Sequence, residues 1–178
     1  MPLTCSVFIG VSLDGFIARE NGDLEWLISR GEAAGDDLGF QKFIAGIDTI
    51  VTGRGTYEAG LGFETWPYEG LRVAVLSREL DADADPRITV YRDLDALLRG
   101  LADSGAEHVY VDGGQVIQTF LREGLIDDMT ITTVPVLLGS GRPLFGPLNG
   151  DVSLVHRATQ VFGASVVQTS YDVVRTAG

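Results

Sequence analysis

The 178-residue sequence contains one cysteine and two histidines. Because Cys5 is the only cysteine, neither an intrachain disulfide nor a thiolate metal cluster can form. His108 and His156 lie far apart in the chain and lack the close spacing of paired metal ligands. We therefore expect no metal site, and we interpret Cys5 as a small buried side chain on a strand.

Basic side chains are also scarce. The sequence has 13 Lys and Arg against 25 Asp and Glu, which gives a formal net charge of −12. Nucleic-acid binding depends on basic side chains that neutralise phosphates, so this balance disfavours DNA or RNA as a partner. A local basic cluster can still hold one small anion, and we expect a small-molecule ligand.

Long hydrophobic runs are missing as well. The apolar run over residues 5–11 has no basic leader and is interrupted by Ser6 and Gly10, so we expect neither a secretory signal nor a membrane helix and predict a cytoplasmic protein. Hydrophobic residues nevertheless make up 45% of the chain. This composition and length predict one globular domain over residues 1–178.

The order of apolar patterns predicts an α/β fold. Helical spacing around Phe40–Ile47, Leu94–Leu101 and Val116–Leu121 alternates with short buried strands, and Asp93 is a candidate N-cap. Such alternation is typical of a mostly parallel sheet with flanking helices. The predicted parallel strands are Ser6–Ser12, Thr49–Thr52, Arg72–Ser77 and His108–Asp112.

The last third of the chain is rich in Val and Thr and predicts antiparallel strands at one edge of this sheet. Gly163-Ala164 suits a two-residue hairpin turn. The acidic stretch Asp81–Asp85 is interpreted as a solvated connection. The predicted C-terminal strands are Met129–Leu138, Val152–Phe162 and Ser165–Val174.

Candidate ligand-binding residues follow the strands, because ligands of open α/β sheets bind beyond the carboxyl ends. Gly113 and Gly114 separate a strand from a helix, so the backbone and the helix amides can approach a phosphate; a plain tight turn explains them equally well. Arg54 and Thr56 follow another strand, where a guanidinium and a hydroxyl suit a phosphate and Thr56 can cap the helix. An ordinary helix start with a surface arginine is the alternative.

The long first connection holds further candidates. Asp14 is typical of a turn, and Trp26 of a core or lid aromatic residue. Asp37 precedes an apolar helical stripe, where burial would raise the pKa of its carboxyl and make it a proton source or an anchor for a heterocycle. Alternatively, Asp36 and Asp37 occupy a first helical turn because carboxylates favour the positive end of the helix dipole.

These segments together resemble the dihydrofolate reductase superfamily, particularly small reductases related to the C-terminal reductase domain of bacterial riboflavin biosynthesis. The resemblance runs through nearly the whole chain and implies a single-domain, three-layer fold. Its motifs are S-L-D-G at Ser12–Gly15, D-x-x-x-x-G-R-x-T-Y-E at Asp48–Glu58, V-L-S at Val75–Ser77, V-D-G-G at Val111–Gly114 and P-V-L-L-G-S-G at Pro135–Gly141.

The resemblance implies NADPH as cofactor. It places the adenosine phosphates at Arg54, Thr56 and Ser77, with Arg78 as a further candidate for the 2′-phosphate. The pyrophosphate falls at the glycine turn and the start of its helix. The residues implied there are Gly113, Gly114, Gln115 and Val116.

The resemblance also implies a substrate side. Residues 37–42 match the family pattern D-L-x-W-x-K, with Phe40 in the place of the tryptophan. In the family this aspartate engages a pterin and is hydrogen-bonded by a threonine, so Asp37 and Thr132 are the implied catalytic pair. Asp14 and Trp26 complete the expected substrate side, in a loop that excludes water.

The expected activity is therefore hydride transfer from NADPH to a pteridine- or pyrimidine-like heterocycle. Leu71 stands where dihydrofolate reductases hold folate with an arginine, and the neighbouring Arg72 should point to the other face. Dihydrofolate reductase proper and a non-catalytic NADP-binding module are the alternatives. A homodimer is expected from the family and from apolar residues on the last strand, Val167, Tyr171 and Val173.

Overall fold

The computed structural model describes residues 2–163 and 165–175. Five helices are found in this part of the chain: α1 (Glu25–Ala33), α2 (Phe40–Ile44), α3 (Arg54–Leu61), α4 (Leu94–Asp103) and α5 (Gly114–Arg122). The strands in the same ranges are β1 (Thr4–Ser12), β2 (Phe16–Ala18), β3 (Thr49–Gly53), β4 (Arg72–Leu76), β5 (Ile88–Tyr91), β6 (His108–Asp112), β7 (Asp128–Val134), β8 (Arg142–Pro143), β9 (Leu154–Phe162) and β10 (Val166–Val173).

Eight strands form the central sheet in the order β5-β4-β3-β6-β1-β7-β10-β9. The strands from β5 to β7 are parallel, whereas β10 runs antiparallel to both β7 and β9. The predicted mixed sheet is therefore confirmed. A separate antiparallel pair joins β2 to β8.

Alternating side chains divide the core between the two faces of the sheet. On β6, Val109 and Val111 pack with α4 and α5, whereas Tyr110 packs with α2 and α3 on the opposite face. Trp26 of α1 forms a third cluster with Val134 and Val166. This arrangement is the expected three-layer fold, with helices on both faces of the sheet.

Several local expectations need correction. The helix predicted to open at Asp37 begins at Phe40, and the strand predicted to reach Leu138 ends at Val134. Asp85 is not solvated: it is buried, accepts a hydrogen bond from Tyr57 Oη at 3.1 Å and pairs with Arg87. The reason is tertiary, since a folded connection brings these partners to a carboxylate that the sequence places among other acidic residues.

Two other local expectations concern helix and strand ends. The side chain of Asp93 accepts the amide of Ala96 at 2.8 Å, which confirms the predicted N-cap. Gly163 has the positive φ expected of the hairpin, at 55°, whereas Ala164 lies outside the described residues. No helix in residues 2–163 and 165–175 is long and apolar enough to cross a membrane.

Candidate functional site

Two of the predicted phosphate-binding motifs meet at the carboxyl edge of the sheet. Gly113 has a φ of 96°, and a Cβ added to it would lie 2.7 Å from Thr56 Oγ1. Helix α5 begins at Gly114 and α3 begins at Arg54, so the starts of both helices lie at this contact. The first amides of a helix have no partner within it, which makes this junction suitable for an anion.

The start of α5 is also covered from one side. A Cβ added to Gly114 would lie 2.8 Å from Pro143 O and 3.1 Å from Ile17 Cδ1, so the β2–β8 pair packs directly on this turn. Gln115 is exposed, whereas the side chain of Val116 is buried in the core. Of these predicted cofactor residues, Val116 can therefore contribute only its backbone amide.

Arg54 is at the edge but already paired. Its Nε lies 2.8 Å from Glu58 Oε1, and its Nη1 pairs with the carboxylate of Glu79. The hydrogen bond that Arg54 donates to Glu58 is the main reason that the pKa of Arg54 is raised. Thr56 does not cap α3 as predicted, because the N-cap position is Gly53 and no side chain bonds there.

Ser77 closes the turn after β4. Its Oγ accepts the amides of Glu79 at 3.3 Å and Leu80 at 3.1 Å, and Arg92 Nη1 donates to its carbonyl at 3.0 Å. Arg78 is exposed in this turn. The turn is thus held by its own hydrogen bonds, with the Arg78 side chain outside that network.

Asp112 is the aspartate of the V-D-G-G motif and is not among the predicted site residues. It ends β6 on the face that carries Tyr110 and lies beside Thr52 in the sheet register. Burial raises the pKa of its carboxyl to about 6, although the amide of Gly113 donates to it at 2.9 Å and favours ionisation. The edge therefore holds a half-buried carboxyl that binds a proton near neutral pH.

Asp37 has the geometry of the helix-start alternative. Its exposed carboxylate accepts the amides of Gly39 at 3.0 Å and Gln41 at 2.8 Å. These bonds, first that from Gln41, lower the pKa of Asp37. The expected raised pKa is therefore wrong, because the side chain is solvated and bonded to backbone amides that stabilise its charge.

Thr132 is buried, but its hydrogen-bond partner is not Asp37, the residue implied by the resemblance. Its Oγ1 accepts from Gln168 Nε2 at 2.9 Å, and the same nitrogen donates to Leu38 O at 2.8 Å. No hydrogen bond joins Thr132 to Asp37 within the described residues. Gln168, which the sequence reasoning missed, thus connects β7 to the segment next to Asp37; its only sequence signal is an amide within an apolar strand.

The other predicted substrate residues have structural contacts. Trp26 is buried, packs near Val134 and donates from Nε1 to Asp23 O at 3.2 Å. The ring of Phe40 is half-buried, with its centroid 5.8 Å from that of Phe8. Trp26 packs with Val134 and Phe40 with Tyr110, so both aromatic side chains lie on the face of the sheet that carries Asp112 and Thr132.

Asp14 joins two loops at this edge. Its Oδ1 accepts from Ser12 Oγ at 2.6 Å and from the amide of Leu138, and its Oδ2 accepts the amide of Gly139 at 2.8 Å. The bond from Ser12 is the largest cause of the lowered pKa of Asp14. The charged carboxylate therefore fixes the turn after β1 to the loop after β7.

Arg142 directly follows the P-V-L-L-G-S-G motif and is not among the predicted site residues. Its Nη1 would lie 3.7 Å from a Cβ added to Gly55 and 3.4 Å from one added to Gly22. Its Nε lies 3.4 Å from Glu20 O. The structure therefore places a second arginine next to the start of α3, carried there by the pairing of β8 with β2.

Arg72 lies at the opposite, amino edge of the sheet. It donates to Ser104 O and pairs with Asp48 at 3.3 Å. A cavity of about 150 Å³ is lined there by Thr49, Arg72 and Ile88, among others. The expectation that Arg72 does not replace a folate-binding arginine is consistent with this position.

Comparison with known proteins identifies the family. The model of the RibD C-terminal domain matches residues 4–168. The chain belongs to this family.

The chain is similar to other members at moderate identity. It is 34% identical to the Bacillus subtilis protein YwjB over 163 residues, which cover 90% of this chain and 92% of YwjB. A solved structure from Shewanella sp. PV-4, named as a candidate riboflavin biosynthesis protein, is 37% identical with a TM-score of 0.87 and covers 97% of this chain and 100% of its own.

A more distant structure shows the same fold. It is a Thermotoga maritima diaminohydroxyphosphoribosylaminopyrimidine deaminase/5-amino-6-(5-phosphoribosylamino)uracil reductase, 18% identical with a TM-score of 0.69. The match covers 97% of this chain and 57% of that one. Members of the RibD C-terminal domain family are reductases. This membership supports the general assignment of the chain as an oxidoreductase.

Proposed function

We propose that this RibD C-terminal-like protein is an NADPH-dependent reductase that transfers hydride to a pteridine- or pyrimidine-like heterocycle, of the 5-amino-6-(5-phosphoribosylamino)uracil reductase type. The observation that carries this proposal is the junction of Gly113 with Thr56 at the starts of α5 and α3. Because Gly113 has no side chain, Thr56 can approach it closely, and the backbone amides at the two helix starts then form a cradle that fits a pyrophosphate.

Each end of the proposed cofactor site has its own residues. Gly113, Gly114 and the amides of Gln115 and Val116 hold the pyrophosphate. Arg54, Thr56, Ser77 and Arg78 lie toward the adenosine phosphates, and Arg54 exchanges a carboxylate partner for the 2′-phosphate. When bound, the reduced nicotinamide supplies the hydride.

The substrate side works through orientation and proton placement. Asp37 is ionised, so it accepts a hydrogen bond from a ring N–H rather than donating a proton. Asp112, whose pKa is about 6, is the carboxyl at this edge that can hold the proton at the substrate. Thr132 positions the Asp37 segment through Gln168, while Trp26, Phe40 and the loop fixed by Asp14 exclude water.

A turnover assay tests this proposal. Loss of NADPH absorbance is followed with a panel of reducible pyrimidines and pteridines that includes dihydrofolate and phosphoribosylated aminouracils. We expect turnover with a pyrimidine, with a rate that falls as the pH rises above about 6 because Asp112 loses its proton. NADPH binding without turnover of any compound would indicate a non-catalytic module, and efficient turnover of dihydrofolate would indicate dihydrofolate reductase.

We also propose a cytoplasmic homodimer. The residues from Leu154 to Val161 of β9 are all exposed, with Val155 at 53% and Val161 at 63%, so a strand with exposed apolar side chains among polar ones forms an open sheet edge. Val167 is exposed too, whereas Tyr171 and Val173 are half-buried and contribute less than expected. Light scattering should give twice the 19.1 kDa chain mass, and a monomer at micromolar concentration would contradict the dimer.

A further inference from the structure

We propose that Arg142 binds the pyrophosphate of the dinucleotide and supplies the main positive charge for it. This inference rests on the proposed function and adds to it a residue from outside the glycine and arginine motifs. The position of the guanidinium, the absence of a carboxylate within ion-pair distance of it in the described part of the chain, and the pairing of β8 with β2 carry the argument.

The position of Arg142 is set by backbone pairing. It pairs with Ala18 of β2, and the next residue, Pro143, approaches Gly114 at the start of α5. The guanidinium itself lies beside Gly55 in the first turn of α3. The two residues of β8 thus reach both helix starts, with the Arg142 guanidinium beside α3 and the Pro143 carbonyl beside α5.

The charges around Arg54 and Arg142 differ. Arg54 has carboxylates of Glu58 and Glu79 within ion-pair distance, so the charge of that cluster is already negative. Within the described residues, 2–163 and 165–175, none of the ion pairs includes Arg142. An incoming anion therefore competes with carboxylates at Arg54 but not at Arg142.

The surroundings of Arg142 leave its terminal nitrogens available. Its Nε is directed to Glu20 O, at 3.4 Å, which orients the fork without neutralising it. Gly22 and Gly55 have no side chains that would cover Nη1 and Nη2. The fork can therefore donate to phosphate oxygens in the geometry that arginine favours.

The test is a set of dissociation constants for NADPH and NADH, measured by nicotinamide fluorescence without any substrate. Arg142→Gln removes the charge but keeps a donor that can reach Glu20 O. Because the pyrophosphate is common to both dinucleotides, we expect Arg142→Gln to weaken both by the same factor, about 10- to 100-fold. Arg175→Gln is the matched control, since Arg175 follows β10, pairs with Asp127 and lies outside the proposed cofactor site.

The outcomes separate this inference from the proposed function. Unchanged affinity in Arg142→Gln, with wild-type protein that binds NADPH, overturns the role of Arg142 alone. Weaker binding of NADPH but not of NADH in Arg142→Gln assigns Arg142 to the 2′-phosphate and also overturns the pyrophosphate assignment. Wild-type protein that binds neither dinucleotide contradicts the proposed function itself. Thermal melting of each variant confirms that the fold is retained, and Arg142→Lys should recover part of the lost affinity.

Discussion

The two halves of the carboxyl edge differ in what holds them together. On the cofactor half, backbone positions make the site: Gly113 touches Thr56, and two helix starts converge. On the substrate half, side chains make the contacts: Gln168 bonds Thr132, and the carboxylate of Asp37 bonds its own helix. The first half depends on close approach that only glycine allows, whereas the second depends on how side chains from distant strands meet.

The largest effect is expected at the backbone half. Gly113→Ala adds a Cβ at a φ of 96° and 2.7 Å from Thr56 Oγ1, so the chain must change conformation there. We expect a loss of about 2–4 kcal/mol in the free energy of unfolding from strain and the displaced contact. NADPH affinity should fall by about 10³-fold, since two charge-assisted amide bonds lose their geometry. Denaturant unfolding and fluorescence titration measure the two quantities.

Gly105→Ala is the matched control for this change. Gly105 also has a positive φ, at 66°, but a Cβ added there meets no atom within 4 Å. It should cost about 1 kcal/mol of stability from strain and leave NADPH affinity unaltered. Equal losses of affinity in the two alanine variants would show that the cradle is not a cofactor site.

The substrate half gives a smaller effect, on rate rather than on binding. Asp37→Asn should leave NADPH affinity intact and slow reduction by about 10²-fold, because the neutral amide holds the heterocycle less well and stabilises its positive charge less in the transition state. Single-turnover kinetics with saturating NADPH measure this step.

The neighbouring Asp36 provides the control for Asp37. Its Oδ1 accepts the amide of Leu38 at 2.9 Å, so Asp36→Asn removes the same charge from the same exposed turn. The rate of reduction by Asp36→Asn should match that of the wild type. If Asp37→Asn also reduces substrate at the wild-type rate, Asp37 is only a helix-start carboxylate, and the substrate half must be assigned to Asp112 and other residues.

The same contrast explains what the sequence could predict. The strand ends and the glycine turn follow from local patterns, because apolar runs and glycine spacing report on the backbone. Gln168 and Arg142 could not be found in this way, since each acts through a partner more than a hundred residues away. Of the two interpretations of Asp37, the one with a raised pKa is wrong for a related reason: the helix stripe indicated burial, but the helix begins three residues later and leaves the carboxylate in water.

The smallest expected effect is on the free energy of unfolding. It distinguishes a carboxyl whose ionisation lowers stability from one whose ionisation raises it. The pKa of Asp112 is raised in the folded protein to about 6, so folding binds a proton between about pH 4 and pH 6 and stability falls as the pH rises through that range. Asp112→Asn should therefore raise the free energy of unfolding by about 1–3 kcal/mol at pH 8 and by little at pH 4.

The stability contribution of Asp85 has the opposite pH dependence. Arg87 lowers the pKa of Asp85, so the stability that this carboxylate contributes is lost as the pH falls. Asp85→Asn should thus destabilise the protein at pH 8. Denaturant unfolding of both variants at pH 4 and pH 8 measures these differences, and a loss of stability at pH 8 in Asp112→Asn would show that the ionised carboxylate of Asp112 stabilises the fold, which contradicts the raised pKa.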